Sequence, residues 1–285
     1  MTATENAAPF AEWVGRTDAV DDRITLAPTQ AAAAMLDDAD ARFSEGDPLP
    51  PLWHWFYFLP KACQSAIGAD GHPARGGFMP PITLPRRMFA GARLSFLKPL
   101  VIGKPARRDA TIRAVSEKSG KSGRLAFVTV SYVYSQDGRP CIEEEQDIVY
   151  REPGAAVPAP AVTELAPPPA GAWTRTVTPD PVLLFRFSAL TFNAHRIHYD
   201  RPYAMNEEGY PGLVVHGPLT AVMLMELVRH NAGQSVAGFS FRGQAPLFDL
   251  APFRLVGEPA GDRVALHAEG PDGRTAMVAE VTLAS

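Results

Sequence analysis

The chain has 285 residues, enough for two ordinary domains or one large one, and its 46% hydrophobic content suffices for a sizeable core. Its 27 basic and 31 acidic side chains leave a net charge of −4, which argues against nucleic acid as a partner, since phosphate binding needs a basic surface. No apolar run is long enough to span a bilayer, so no membrane partner is expected.

Met1 to Phe10 carries one acidic and no basic side chain, and lacks the basic start and apolar core of a signal peptide. A helix signal follows at Thr29-Gln-Ala-Ala-Ala-Ala-Met-Leu-Asp-Asp38, with Thr29 as the expected N-cap. Pro48 to Pro60 is rich in proline and aromatics, and the glycines and prolines of Gly68 to Pro85 predict a loop. Strands are expected at Ala110–Val115, Arg124–Tyr134 and Cys141–Tyr150, with a turn at Gln136-Asp-Gly138 between the last two. Cys63 and Cys141 lie far apart and form neither a metal pattern nor a disulfide framework, which points to reduced thiols and a cytoplasmic location.

Pro153, Pro158, Pro160, Pro167, Pro168 and Pro169 crowd a segment unable to hold a helix or a central strand. It reads as a linker over 153–170, between a first domain (1–152) and a second (171–285). The second opens with a short strand, Trp173–Thr178. Pro218–His230 is apolar over a wide face and predicts a buried helix, with Pro218 at its first turn and Gly233 past its end. Strands are expected at Val236–Arg242, Phe253–Gly257, Arg263–Ala268 and Thr275–Leu283, with Asp272-Gly273 as a hairpin turn. Lys98-Pro-Leu-Val-Ile102 is echoed by Ala245-Pro-Leu-Phe-Asp249. A helix followed by antiparallel strands, occurring twice, suggests a duplicated α+β unit.

Phe187-Ser-Ala-Leu-Thr-Phe-Asn-Ala-His-Arg-Ile-His-Tyr-Asp200 concentrates the polar chemistry, and His216-Gly217-Pro218 follows it. This pattern resembles the hydratase-2 (MaoC-like) motif Ser-Gly-Asp-x-Asn-Pro-Ile-His-x-Asp followed by His-Gly. It is closer still to a branch that includes mesaconyl-C4-CoA hydratases, itaconyl-CoA hydratase-like proteins and mitochondrial-type 3-hydroxyacyl-thioester dehydratases. Gly71-His-Pro-Ala-Arg-Gly-Gly-Phe-Met-Pro-Pro81, Leu84-Pro-Arg-Arg-Met88 and Gln146-Asp-Ile-Val-Tyr-Arg151 extend the similarity into the first half. The resemblance implies a double hot-dog fold, two helices each wrapped by an antiparallel sheet, with the first copy degenerate. It implies an acyl-CoA hydro-lyase acting on a short branched or dicarboxylic enoyl-CoA. A fatty-acyl 3-hydroxyacyl-thioester dehydratase and a non-catalytic acyl-CoA binder are the alternatives. Coenzyme A would enter as part of the substrate, with no cofactor, and the protein would be a monomer or homodimer.

Hydration of an enoyl thioester needs a base for water, a proton for Cα, and a donor for the thioester oxygen. The resemblance puts His198 in the catalytic histidine position. It puts Asn193 where the wider family carries an aspartate; an amide orients water but is no base, and Asn193 also suits a turn cap. Gly217 opens the buried helix, where its N–H suits a thioester oxyanion or where glycine simply allows close packing. His195 and Arg196 suit a substrate carboxylate, with an Arg196–Asp200 structural pair as the alternative. His216 is a candidate for substrate contact or for local packing. Arg86, Arg87 and Arg242 are candidates for the phosphates of coenzyme A. His195 and His198 offer a metal no third ligand at obvious spacing, so no metal is expected.

Overall fold

The computed structural model describes residues 10–120 and 123–284. The leaderless start expected for Met1 to Phe10 thus lies outside the described residues, except for Phe10. In chain order the elements are β1 (Thr17–Arg23), α1 (Leu26–Met35), β2 (Arg86–Phe96), β3 (Pro105–Gly120), β4 (Gly123–Gln136) and β5 (Arg139–Arg151). The second half contributes β6 (Trp173–Val177), α2 (Pro181–Thr191), α3 (Arg201–Asn206), α4 (Gly217–Asn231), β7 (Val236–Gly243), β8 (Phe253–Ala260), β9 (Arg263–Glu269) and β10 (Thr275–Leu283).

The strands form one ten-stranded antiparallel sheet in the order β1-β3-β4-β5-β2-β7-β10-β9-β8-β6. Read outward from the centre, both halves follow the same path: the strand after the helix is central and the strand before it is the far edge. The faint echo in the sequence falls at matching places. Val101 bridges to Pro48 after β2, and Phe248 bridges to Val214 after β7.

The halves join where β2 pairs with β7, from Gly91 opposite Arg242 to Ser95 opposite Gly238. A Cβ on Gly91 would lie 2.4 Å from the Phe241 carbonyl oxygen, so only glycine fits where the backbones meet. The β4–β5 hairpin turns at Asp137 (φ 51°) and Gly138 (φ 70°), the positive pair that a tight hairpin turn needs.

Helix α4 lies against β6, β8, β9 and β10 and is buried from Leu219 to Val228. Each large apolar side chain so buried contributes about 1.5–3 kcal/mol. Its one buried acid, Glu226, would oppose this if left unpaired, but it accepts hydrogen bonds from Trp53 Nε1 and Arg229 Nε, both at 2.8 Å. The first half has no helix of this kind among the described residues. Its helix, α1, packs on α2 and on the 3-10 turn Trp53–Phe56. It begins at Leu26 after Thr25, earlier than the Thr29 cap expected, because Pro28 sits in the first turn, where its missing N–H is harmless.

Residues 153–169 form no helix or strand; two backbone hydrogen bonds, Val157 to Gly209 at 2.8 Å and Thr163 to Pro271 at 2.9 Å, lay the segment along the second half. Cys63 is exposed and Cys141 buried, both free. No helix among the described residues is long and apolar enough to cross a membrane.

Candidate active site

Helix α2 starts on a side-chain cap, with Asp180 Oδ1 accepting from the Leu183 N–H at 2.7 Å and Pro181 in the first turn. It ends at Phe192, whose left-handed backbone (φ 51°) lets the Asn193 N–H return to the Ser188 carbonyl at 2.8 Å. Asn193 Oδ1 then accepts from the His195 N–H at 3.0 Å and so caps the turn. A 3-10 turn, Arg196–His198, follows, and Asp200 caps α3 by accepting from the Tyr203 N–H at 3.1 Å.

His198 is buried, with Nδ1 2.7 Å from the Val214 carbonyl oxygen. A carbonyl only accepts, so Nδ1 carries the proton and a neutral ring presents a bare Nε2. His216 lies behind it, with ring centroids 3.6 Å apart and planes 19° from parallel. Ser188 Oγ meets His216 Nε2 at 2.9 Å. Burial pushes the His198 pKa down to about 4, against the raising effect of the Val214 bond. Burial, then the charges of His72 and His198, push His195 down to about 2, and burial holds His216 well below the usual range. The motif histidines are neutral bases or packing groups at neutral pH.

The first half completes the site. The Arg196 N–H donates to the Asp70 carbonyl at 2.9 Å, and Arg196 Nη1 to the Ala69 carbonyl at 3.0 Å. Gly71 has φ 93°, and a Cβ there would stand 1.7 Å from the Ala194 carbonyl oxygen, so this loop meets the motif backbone to backbone. It delivers His72, whose Nδ1 is 3.0 Å from Asp70 Oδ2 and whose ring lies 4.1 Å from that of His195. Burial would raise the Asp70 carboxyl, but the hydrogen bonds from His72 outweigh it and hold Asp70 below the usual range. Asp70, His72 and His195 offer ligand atoms within 4.8 Å of one another, a grouping that motif spacing could not disclose. Its closeness comes from the Asp70–His72 hydrogen bond and from the packing of the His72 and His195 rings, tilted 39° to each other.

His72 and part of the motif line a cavity of about 950 Å³ between the first half's sheet and the N-terminal end of α4. Asn193, His195, His198, Gly217 and Arg87 line it. A Cβ on Gly217 would meet nothing nearer than 3.9 Å, so packing does not demand glycine there. Pro218 has no N–H and Leu219 is buried, which leaves the Gly217 N–H as the first-turn donor on the cavity side.

Several residues expected at the site are placed elsewhere. Arg196 does not line the cavity: it pairs with Asp200 at 2.8 Å and stacks over Tyr203 at 4.1 Å, the structural alternative. Arg86 is buried against Glu208, with Nε 3.0 Å from Oε2, so it is not open to a phosphate. Arg242 is exposed on β7 and outside the cavity wall. His216 supports His198 from behind rather than lining the cavity. His72 and Asp70 join the site although the sequence marks their stretch only as loop and as part of the resemblance, with no role for either residue. Nor does the sequence mark the buried Glu144, which accepts from four residues that line the cavity: His54 Nε2 (3.2 Å), Trp55 Nε1 (3.1 Å), Tyr134 OH (3.0 Å) and Gln146 Nε2 (2.7 Å).

Residues 52–249 match the family model for hydroxyacyl-thioester dehydratase type 2. The chain belongs to this family. It is 65% identical over 278 residues to the mesaconyl-C(4)-CoA hydratase of Chloroflexus aurantiacus, covering 98% of this chain and 99% of that one. Among solved structures it resembles a MaoC-like dehydratase from Phytophthora capsici, with TM-score 0.69, 14% identity, and 95% and 96% of the two chains covered. It also resembles a Mycobacterium tuberculosis protein described as having a double hotdog fold, with TM-score 0.57, 13% identity, and 95% and 96% covered. The fold is the double hot dog, with α4 as its long wrapped helix and α1 the short counterpart.

Proposed function

We propose that the chain is an acyl-CoA hydro-lyase adding water reversibly to a short, branched or dicarboxylic enoyl-CoA of the mesaconyl type. The observation that carries the substrate class is the 65% identity, over nearly the full length of both chains, to a mesaconyl-C(4)-CoA hydratase.

In this reading the thioester oxygen takes the Gly217 N–H at the positive end of α4. Water sits between His198 Nε2 and the Asn193 side chain. As its oxygen bonds to Cβ, one water proton passes to Nε2, and the π electrons move through Cα onto the thioester oxygen. The enolate collapses and Cα takes the proton back from Nε2, so His198 ends as it began. Burial disfavours the imidazolium, so the proton passes on to Cα without resting on His198. Proton transfer by a placed side chain contributes about 10²–10⁴ in rate. Asn193 already spends Oδ1 on the turn, which leaves its Nδ2–H to hold the water oxygen.

A second reading, dehydration of fatty 3-hydroxyacyl thioesters, rests on the description of the matching family. A panel of crotonyl-, mesaconyl- and longer enoyl-CoA substrates tests both, followed by loss of the conjugated thioester absorbance. Preference for the mesaconyl compound supports the first reading, and preference for long chains supports the second. Release of free coenzyme A, or tight binding without turnover, would refute a hydro-lyase.

A further inference from the structure

We propose that Arg87 and the Asp70-held His72 together form the pocket for the free carboxylate of a dicarboxylic monothioester. The inference rests on the substrate class just proposed and names the residues that would read it.

A carboxylate carried on Cβ stands beside the carbon that water attacks, so its counter-ions belong next to His198, deep in the cavity. An unpaired carboxylate there would be strongly disfavoured. The motif cannot supply the charge. Burial keeps His195, His198 and His216 neutral, and Arg196 is committed to Asp200 and to the Ala69 carbonyl.

Arg87 lines the cavity, and its charge acts on the His195 ring. It lies on β2 at the same pleat position as Phe89, whose carbonyl oxygen is 3.9 Å from where a Gly217 Cβ would be. Alternate residues of a strand share a face at a spacing of about 6.6 Å, so Arg87 stands a short step from the thioester site. Its neighbour Arg86 is paired with Glu208, whereas Arg87 has no carboxylate partner among the described residues. The phosphates of coenzyme A lie a whole pantetheine arm from the thioester. A cation acting on His195 is therefore in the wrong place for them and in the right place for an acyl carboxylate.

His72 completes the pocket from the other half. Its Nδ1 is committed to Asp70 at 3.0 Å, which leaves Nε2 for the substrate. In the substrate complex it would stand between Asp70 on one side and the substrate carboxylate on the other, a donor to both. Arg87 and His72 then both face the substrate carboxylate, with Asp70 on the far side of His72. Asp70 acts as a positioning residue, and without His72 between them it would repel the substrate.

The test compares kcat/KM for a methylfumaryl monothioester of coenzyme A with kcat/KM for crotonyl-CoA, which lacks the carboxylate. The ratio of the two is the readout, so a misfolded variant that loses both substrates alike does not mimic the effect. Arg87→Gln and His72→Gln should each lower the ratio at least about tenfold, the loss of one charged hydrogen bond. Arg87→Lys, which keeps the charge, should lower it less than Arg87→Gln. A ratio unchanged in both Gln variants would overturn the carboxylate pocket while leaving the substrate class intact. A wild-type enzyme that hydrates crotonyl-CoA but not the methylfumaryl thioester would overturn the substrate class, and the pocket with it.

Discussion

His198 and His216 lie face to face in the protein interior, ring centroids 3.6 Å apart. Neither ring can take a proton without placing charge against the other in a buried site. The His198 pKa is lowered by burial from 6.5 to about 4. Between these values the unfolded chain binds the proton and the folded one does not, so stability falls as pH drops from about 6.5 toward 4 and is flat above. The loss is on the order of 3 kcal/mol at pH 4 from His198 alone. Urea unfolding at pH 7.5, 5.5 and 4.5 checks it; equal stability at all three pH values would contradict buried neutral rings.

Gly71→Ala should damage activity more than stability. The added Cβ would collide with the Ala194 carbonyl at 1.7 Å and force the loop off the motif, carrying His72 with it. A fall in kcat/KM of about a hundredfold or more, with a cooperative thermal transition retained, is the expected pair of results.

Arg196→Met removes the hold on the Ala69 carbonyl and the pair with Asp200. Faster amide hydrogen exchange across residues 68–73 is expected, with exchange in α4 unaffected. Unaltered protection of that loop would mean that Arg196 does not secure it.

Glu144→Leu should be strongly destabilising. His54, Trp55, Tyr134 and Gln146 all donate to this one buried carboxylate. Removing it strands four donors, at a cost of about 3–5 kcal/mol, measurable by denaturant unfolding.

Asn193→Asp and Asn193→Ala separate the two duties of that side chain. Aspartate keeps the acceptor for the His195 N–H and loses the amide donor; alanine loses both. If the amide orients water, both should lower kcat by about tenfold, with alanine also losing stability. A full-rate Asn193→Asp variant would leave Asn193 as a turn cap alone.

Much of this architecture is legible in the residues. The α4 helix, the hairpin at Asp137-Gly138 and the strands of β-branched and aromatic residues carry period and turn chemistry on their own. Strand β1, Thr17–Arg23, is a polar edge without a buried face, and β2 opens with arginines and breaks at Gly91 for the sake of β7, so neither shows a period. Helix α2 has its Asp180-Pro181 start in plain view, but the functional motif overlaps its end and draws attention from it. Asn193, His195, His198 and Gly217 lie close in sequence and share the cavity. His72, held by Asp70, reaches it only through contacts of its loop with residues more than a hundred positions away. Nor does sequence distinguish Arg87, in the cavity, from Arg86, locked to Glu208, since strand pleat alone sends neighbours to opposite faces.

Whether His198 carries the proton is tested by the rate of water addition to mesaconyl-CoA by His198→Ala against the wild type. A fall in kcat of about a hundredfold or more with the fold intact is expected, since the bare Nε2 that would carry the proton is gone. A His198→Ala enzyme that hydrates at the wild-type rate would contradict it.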